Sequence, residues 1–179
     1  MDDASSKGEE LKSFVSELSN LDDHLNYEVK RARDDEGLLP ALELLDENHK
    51  QTGIRFSGIP TGHELNSLVL AIYNLAGPGQ SIDGELIERI KKLPGMHLQI
   101  GVSLTCHFCP DVVAASQKIA SINPDISAEM IDLQLFPKLR KAKKIMSVPA
   151  FMINDGEVTF GSQTLDQIVG LCERQTEKV

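Results

Sequence analysis

Two cysteines three positions apart, Cys106 and Cys109, are the residues of this sequence best suited to chemistry. A Cys-x-x-Cys pair at a strand-to-helix junction favours thiol–disulfide exchange, because the free N–H groups and the dipole of a helix N-terminus stabilise a thiolate. We expect Cys106 at that N-terminus, as the thiolate that attacks a disulfide in another protein. Cys109, one turn further along, would then resolve the mixed disulfide.

Two other interpretations of the pair stay open. A Cys-x-x-Cys can supply half of a zinc site, or its thiols can simply pack in the core. The third cysteine, Cys172, falls on the apolar face of a helical pattern and is predicted to be an ordinary buried thiol. No His-x(3–5)-His follows the pair, so redox chemistry is the preferred interpretation.

Four neighbours are candidates for supporting roles. His107, between the cysteines, can stabilise the thiolate by its positive charge or serve as a solvated spacer. Thr105 can hydrogen-bond near the sulfur, although a threonine at a strand end needs no such role. Val148 and Pro149 open a strand about forty residues after the dithiol. A cis peptide bond there would leave a backbone edge for a substrate segment, whereas a plain turn proline is the alternative.

The second half of the sequence predicts the order β-α-β-α-β-β-α from its apolar periodicity and its turn residues. This order puts the dithiol directly after the first strand of the series. The predicted elements are Leu98–Leu104, Cys106–Ser121, Ile126–Leu133, Phe136–Lys144, Val148–Ile153, Glu157–Phe160 and Thr164–Arg174.

The first half predicts the same order without its opening strand. Thr61 and Glu64 have the spacing of a capping box at the start of its second helix, and Gly77–Gly79 ends that helix. We therefore predict two copies of one small α/β unit, residues 1–79 without cysteines and residues 80–179 with the dithiol. The predicted elements are helix Lys7–Leu21, strands Leu25–Ala32, Ala41–Leu45 and Gly53–Ser57, helix Gly62–Leu75 and, after the boundary, helix Ile82–Leu93.

The charge balance bears on partners and location. The net charge of -9 argues against nucleic acid or an anionic membrane as a partner. The N-terminus is acidic and polar rather than a signal peptide, and no apolar run is long enough to span a bilayer. We therefore expect a cytoplasmic protein, in a compartment where a cysteine pair is more often catalytic or metal-binding than structural.

Three long runs match a known pattern. Ser103–Val113 resembles S-C-H-N-C-P-D-V-V around a dithiol, and Ile145–Phe151 resembles V-M-G-V-P-A-V. Arg55–Ala71 is similar to R-F-A-G-x-P-x-G-H-E-F-x-S-L-V-L-A, and Asp2-Asp3 resembles the end of the strand that precedes it in the family. The quoted patterns are those of the N-terminal domain of the flavoprotein subunit of alkyl hydroperoxide reductase. The resemblance of this sequence to that family covers nearly the whole chain.

The resemblance implies an α/β protein of two fused thioredoxin-like folds, the first lacking a dithiol and its opening strand. It implies a domain that takes electrons from an NADH-dependent flavin reductase and reduces a peroxiredoxin, with Cys106 as the interchange thiol. Glu64 falls on the glutamate of the family's G-H-E motif, near the dithiol, where it would shuttle a proton. Capping of the helix, alone or in addition, is the other role considered for Glu64.

The sequence also departs from the family pattern. It has no G-x-G-x-x-G and no second Cys-x-x-Cys, so FAD and NADH are expected on a missing or separate reductase domain rather than on this chain. Phe108 replaces the usual polar residue between the cysteines. Two rival functions are a general, glutaredoxin-like protein disulfide oxidoreductase, which often carries a dithiol in each half, and a non-enzymatic module that binds metal or a partner.

Overall fold

The computed structural model describes residues 3–31 and 37–177. A short 3-10 turn, Gly62–Glu64, leads directly into the second helix. The helices are α1 Asp3–Ser19, α2 Leu65–Ala76, α3 Gly84–Lys92, α4 Cys109–Ile122, α5 Pro137–Ala142 and α6 Leu165–Thr176. The strands are β1 Ala41–Leu45, β2 Gln51–Ser57, β3 Met96–Val102, β4 Ile126–Asp132, β5 Ala150–Ile153 and β6 Thr159–Phe160.

The six strands form one sheet in the order β1-β2-β4-β3-β5-β6. Its centre is parallel, because β4 pairs in parallel with both β2 and β3. Antiparallel pairs flank this centre, β1 with β2 on one side and β3 with β5 and β5 with β6 on the other. Since β2 comes from the first predicted unit and β4 from the second, the sheet is continuous across both. The division at residue 79 stays a prediction.

Each strand alternates its side chains between the two faces of the sheet, and the larger core lies on the face covered by α2, α4 and α6. This core anchors the helix that begins with Cys109, because eight residues of α4 are buried. Its fully buried members include Ile54, Phe56, Leu68, Leu98, Ile100, Val112, Val113, Ile119, Met130 and Ile168. A smaller core on the other face contains Ile131, Leu133, Ile145, Ala150 and Met152.

A polar network crosses the opposite face of the sheet and joins the strands of both units. Glu129 on β4 is only 6% exposed and accepts hydrogen bonds from Ser57 on β2 and from His97 Nε2 on β3, the latter at 2.9 Å. Arg55 Nε lies 3.5 Å from the same carboxylate, and its guanidinium also pairs with Glu43. Burial alone would raise the pKa of Glu129, but these hydrogen bonds and charges outweigh burial and lower it.

The predicted strand Leu25–Ala32 is wrong. Its residues 25–31 form no strand, and Ala32 lies outside the described residues. Two of the three apolar members of the alternation are exposed, Tyr27 by 45% and Val29 by 61%, so they do not pack on a sheet. The comparison of Asp2-Asp3 with a strand end is also wrong for Asp3, which begins α1, while Asp2 lies outside the described residues.

The other predicted elements are present. Most of their observed ends lie within three residues of the predicted ones. Among residues 3–31 and 37–177, no helix has the length and apolar character needed to cross a bilayer.

Candidate redox-active site

The two cysteines form a disulfide in the segment that joins β3 to α4, with their Cα atoms 5.5 Å apart. Cys109 is fully buried, whereas Cys106 is partly exposed. Of the two cysteines, Cys106 is therefore the one that an incoming thiol or disulfide can approach from solvent. This asymmetry agrees with the predicted roles of Cys106 as attacking thiol and Cys109 as resolving thiol, which themselves stay predictions.

The helix begins at Cys109, so the prediction that it begins at Cys106 is wrong by one turn. The chain first makes a tight turn after β3, in which the Cys106 N–H donates to the Ser103 carbonyl at 2.9 Å. Pro110 then occupies the first turn of α4, where its missing N–H costs no hydrogen bond and its fixed φ suits a helix start. Cys106 thus lies just outside the helix N-terminus.

Pro149 lies at the same end of the sheet as the dithiol. Because β5 runs antiparallel to β3 and Gly101 pairs with Ala150, Pro149 falls beside the end of β3, where the chain turns towards Cys106. The Val148–Pro149 peptide bond is cis, as predicted. Pro149 is buried and Val148 partly exposed, and Val148 packs against both cores.

Glu64 is a fully buried carboxyl group in the turn before α2. Its Oε2 accepts a hydrogen bond from the Ser67 hydroxyl, while Oε1 has no partner among the described residues. Burial raises the pKa of Glu64 to about 7; the charge of Asp111 on α4 adds to this, and the Ser67 hydrogen bond opposes it. A carboxyl group that titrates near neutrality and keeps one oxygen unpaired is suited to proton transfer.

The predicted capping box at Thr61 and Glu64 is wrong. Within the described part of the chain, the Thr61 side chain makes no capping hydrogen bond. The backbone forms a 3-10 turn instead, in which the Glu64 N–H donates to the Thr61 carbonyl at 3.1 Å. The Glu64 side chain points forward to Ser67 rather than back to the start of the helix.

The turn that carries Glu64 is held against the dithiol segment by its backbone. The His63 N–H donates to the Leu104 carbonyl at 3.1 Å. The rings of His63 and His107 are in contact, with centroids 4.2 Å apart and planes tilted by 53°. The sequence prediction did not include His63, although it stands beside Glu64 in the G-H-E run; nothing in its local pattern places it near the cysteines.

Comparison with known proteins gives the family. The family described as "Thioredoxin domain" matches residues 96–173. The AhpF protein of the alkyl hydroperoxide reductase of Staphylococcus aureus strain NCTC 8325 is 37% identical over 164 residues, which are 91% of this chain and 31% of that protein. The crystal structure of the NTD_N/C domain of AhpF from Enterococcus faecalis V583 is 48% identical, with a TM-score of 0.89, and the match covers 96% of this chain and 87% of that one. This chain belongs to the AhpF N-terminal domain family.

Both halves of the chain contribute to the AhpF-type fold. This fold is thioredoxin-like with a six-stranded mixed sheet, and here it carries a Cys106–Cys109 disulfide of the disulfide oxidoreductase type. The chain spans about a third of the length of the curated AhpF relatives that it matches, 31% in the case above. A protein disulfide oxidoreductase from Aeropyrum pernix shares the fold at a TM-score of 0.70 and 24% identity.

Three residues next to the cysteines in the chain lie at the surface. Thr105, His107 and Phe108 are all exposed, Phe108 by 64%. The Thr105 hydroxyl lies 3.1 Å from that of Ser103, its hydrogen-bond partner. The apolar side chain of Phe108, between the two cysteines in the chain, is therefore open to solvent.

Cys172 is a free, fully buried thiol in α6, which confirms its prediction as a core residue. Burial raises its pKa to about 12, and the charge of Glu173 contributes, so the thiol stays protonated at neutral pH. Across residues 3–31 and 37–177, no group of three or more His, Cys, Asp or Glu side chains has a metal-binding arrangement.

Proposed function

We propose that this domain carries electrons by thiol–disulfide exchange from a flavoprotein reductase domain to a peroxiredoxin, as part of peroxide detoxification. The observation that carries the proposal is the Cys106–Cys109 disulfide, with Cys109 fully buried and Cys106 partly exposed, in a chain of the AhpF N-terminal domain family. The work of the domain is then protein-disulfide reduction, within a larger NADH:peroxiredoxin oxidoreductase.

The exchange proceeds in two displacement steps. In the reduced domain, the Cys106 thiolate attacks the peroxiredoxin disulfide, forms a mixed disulfide and releases one peroxiredoxin thiolate. The Cys109 thiolate then attacks the Cys106 sulfur, restores the Cys106–Cys109 disulfide and releases the second peroxiredoxin thiolate. Two electrons pass to the peroxiredoxin, and two electrons from the reductase domain restore the dithiol.

Glu64 is the proposed proton carrier of this cycle. Cys109 must lose its proton before it can attack, and a buried thiol gives up a proton to water poorly. Glu64 is buried at the same end of α4, close enough to Asp111 to feel its charge, and titrates near pH 7. Its unpaired Oε1 is the oxygen available to accept the proton.

Val148 and Pro149 are the proposed binding edge for the peroxiredoxin segment that carries the disulfide. They stand between the exposed Met146 and the start of β5, beside the end of β3. An extended client segment laid along this backbone would bring its sulfur towards Cys106. Thr105 and His107 flank the same approach on the dithiol side.

The electron donor is proposed to be a flavoprotein reductase domain that holds FAD and oxidises NADH, on the same polypeptide or a separate one. The curated AhpF relatives are about three times the length of this chain, which leaves room for such a domain in them. The cytoplasm, where NADH and reduced thiols are available, is the proposed location.

A reconstituted assay tests the proposal. A flavin reductase, a two-cysteine peroxiredoxin and peroxide are combined, and NADH loss is followed with and without this chain. We expect turnover to depend on the chain, to disappear with Cys106→Ser and to persist with Cys172→Ala, which removes a cysteine outside the site. Full turnover with Cys106→Ser contradicts the proposal. Equal activity on unrelated protein disulfides would favour a general oxidoreductase, and stoichiometric zinc in the purified chain would favour a metal-binding module.

A further inference from the structure

His63 has no role in the proposed exchange, yet its ring contacts that of His107, which lies between the two cysteines in the chain. Its imidazole lies against that of His107, with 4.2 Å between the centroids. Both residues are exposed, so burial in the core does not account for their contact. His107 directly follows Cys106 in the chain, so the ring contact joins the turn of Glu64 to the residue next to Cys106.

Backbone contacts hold His63 against the segment that leads to His107. Gly62 has a positive φ of 59°, and the carbonyl oxygen of Leu104 fills the space that a side chain at position 62 would need. The next residue, His63, is hydrogen-bonded to the same carbonyl. These contacts hold the backbone of His63 against Leu104, three residues before His107.

The charges at this end of the molecule give the contact a chemical consequence. The ionisable groups of the turn, the dithiol segment and the first turn of α4 are Glu64, Asp111, the cysteines and the two histidines. Helix α2 contains no charged residue, and neither does the segment from Ile145 to Pro149. Both acidic groups oppose a thiolate, and the side chains among these groups that can carry a positive charge are the two histidines.

We propose that His63 is a positioning residue that holds the His107 ring beside Cys106, so that the His107 imidazolium stabilises the Cys106 thiolate. The His63 ring occupies space into which the His107 ring would otherwise turn, so the contact restricts the side-chain torsions of His107. The inference rests on the proposed role of Cys106 as attacking thiol.

Thiol alkylation tests this inference without any partner protein. In a Cys109→Ser background, the rate of Cys106 alkylation by iodoacetamide is measured against pH, since the thiolate is the reacting species. We expect His107→Ala to slow alkylation at pH 7 about tenfold and His63→Ala about threefold, through a higher thiol pKa. In the His107→Ala background, His63→Ala should have no further effect. His24→Ala, at an exposed histidine paired with Asp22, is the matched control and should change nothing.

Two replacements separate positioning from charge. His63→Phe keeps a ring against His107 and should retain a rate near that of the parent, whereas His63→Lys restores a cation without a ring and should not. An unchanged rate in His63→Ala, additive effects of the two alanine variants, or rescue by lysine rather than phenylalanine would each overturn the inference. If the parent chain fails to support peroxiredoxin turnover in the reconstituted assay, that result counts against the proposed function alone. The alkylation assay needs neither reductase nor peroxiredoxin, so it tests this inference separately.

Discussion

Gly62 and Leu104 touch through their backbones: a Cβ placed at Gly62 would lie 2.6 Å from the Leu104 carbonyl oxygen. This approach joins the turn that carries Glu64 and His63 to the segment that carries Cys106. The positive φ of Gly62 is a second reason why L-amino acids other than glycine fit poorly there. A side chain at this position would push the acid and the dithiol apart.

Gly62→Ala should therefore impair both stability and exchange. We expect the free energy of unfolding to fall by about 2 kcal/mol from backbone strain, and the rate of disulfide exchange to fall because Glu64 and His63 move. Urea denaturation and the reconstituted assay measure the two effects. Gly84→Ala is the control, because a Cβ there meets nothing within 4 Å. Equal behaviour of the two variants would show that the close approach does not matter.

Glu64→Gln should remove one source of pH dependence from the rate of disulfide exchange. The carboxylate form is the proton acceptor, so the rate at which Cys109 resolves the mixed disulfide should rise with pH through about 7, the pKa of Glu64. The glutamine variant cannot accept the proton and should lose this step while still forming the mixed disulfide. Rapid-quench measurements from pH 5.5 to 8.5 test this, and an unchanged pH profile in the variant would exclude Glu64 as the acceptor.

Glu64→Gln should also change how stability depends on pH. The folded-state pKa of about 7 lies above the reference value of 4.5, so the folded chain binds more protons between these values. The contribution of Glu64 to the free energy of unfolding is fully present below pH 4.5. It amounts to up to about 3 kcal/mol and is lost as the pH rises through 7. Urea denaturation of the variant should show a smaller decline between pH 5 and pH 8. A decline as steep as that of the parent would mean that Glu64 is not the group responsible.

Glu129→Gln should weaken the junction between β2, β3 and β4. The pKa of Glu129 is lowered, so its carboxylate stabilises the fold above about pH 4.5, and this stability is lost as the pH falls through the lower folded-state pKa. Removing the charge should cost about 2 kcal/mol at pH 7, because His97, Ser57 and Arg55 lose a charged acceptor. Glu43→Gln, at the more exposed partner of Arg55, should cost less. Equal losses in denaturation would contradict a special role for the buried carboxylate.

Cys172 should be chemically silent in the folded chain. With a pKa of about 12 and no exposed surface, its thiol should not react with a disulfide reagent such as DTNB at pH 8, whereas Cys106 should react as soon as the disulfide is reduced. Thiol titration of the oxidised, the reduced and the urea-unfolded chain tests this. Rapid reaction in the oxidised folded chain would show that α6 opens readily.

Much of the fold is predictable from local pattern, because the alternating strands and helices after residue 96 carry both strong apolar periodicity and glycine or proline at their ends. The same alternation wrongly predicts a strand at Leu25–Ala32, where Tyr27 and Val29 are exposed rather than packed against a core. Alternation of apolar and polar residues indicates which side chains would share a face of a strand. It does not show whether a partner strand is present to pair with it.

The site is predictable only in part, for a related reason. The cysteines are recognisable by type and spacing, and Pro149 by its place before a strand. Glu64 has the spacing of a cap in sequence, but tertiary burial gives its carboxyl group different surroundings. The contact of His63 with His107 joins residues 44 positions apart in the chain, and no local pattern encodes it.

The pairing of β2 with β4 has a consequence for how this chain can be cut. A fragment of residues 80–179 would keep both cysteines and all of the matched Thioredoxin domain span, residues 96–173. It would also uncover the side of β4 that now pairs with Ile54–Ser57, leaving a row of unsatisfied amide and carbonyl groups beside apolar side chains. Such an open edge recruits strands from other molecules, so the cysteine-free half also protects the dithiol half from self-association.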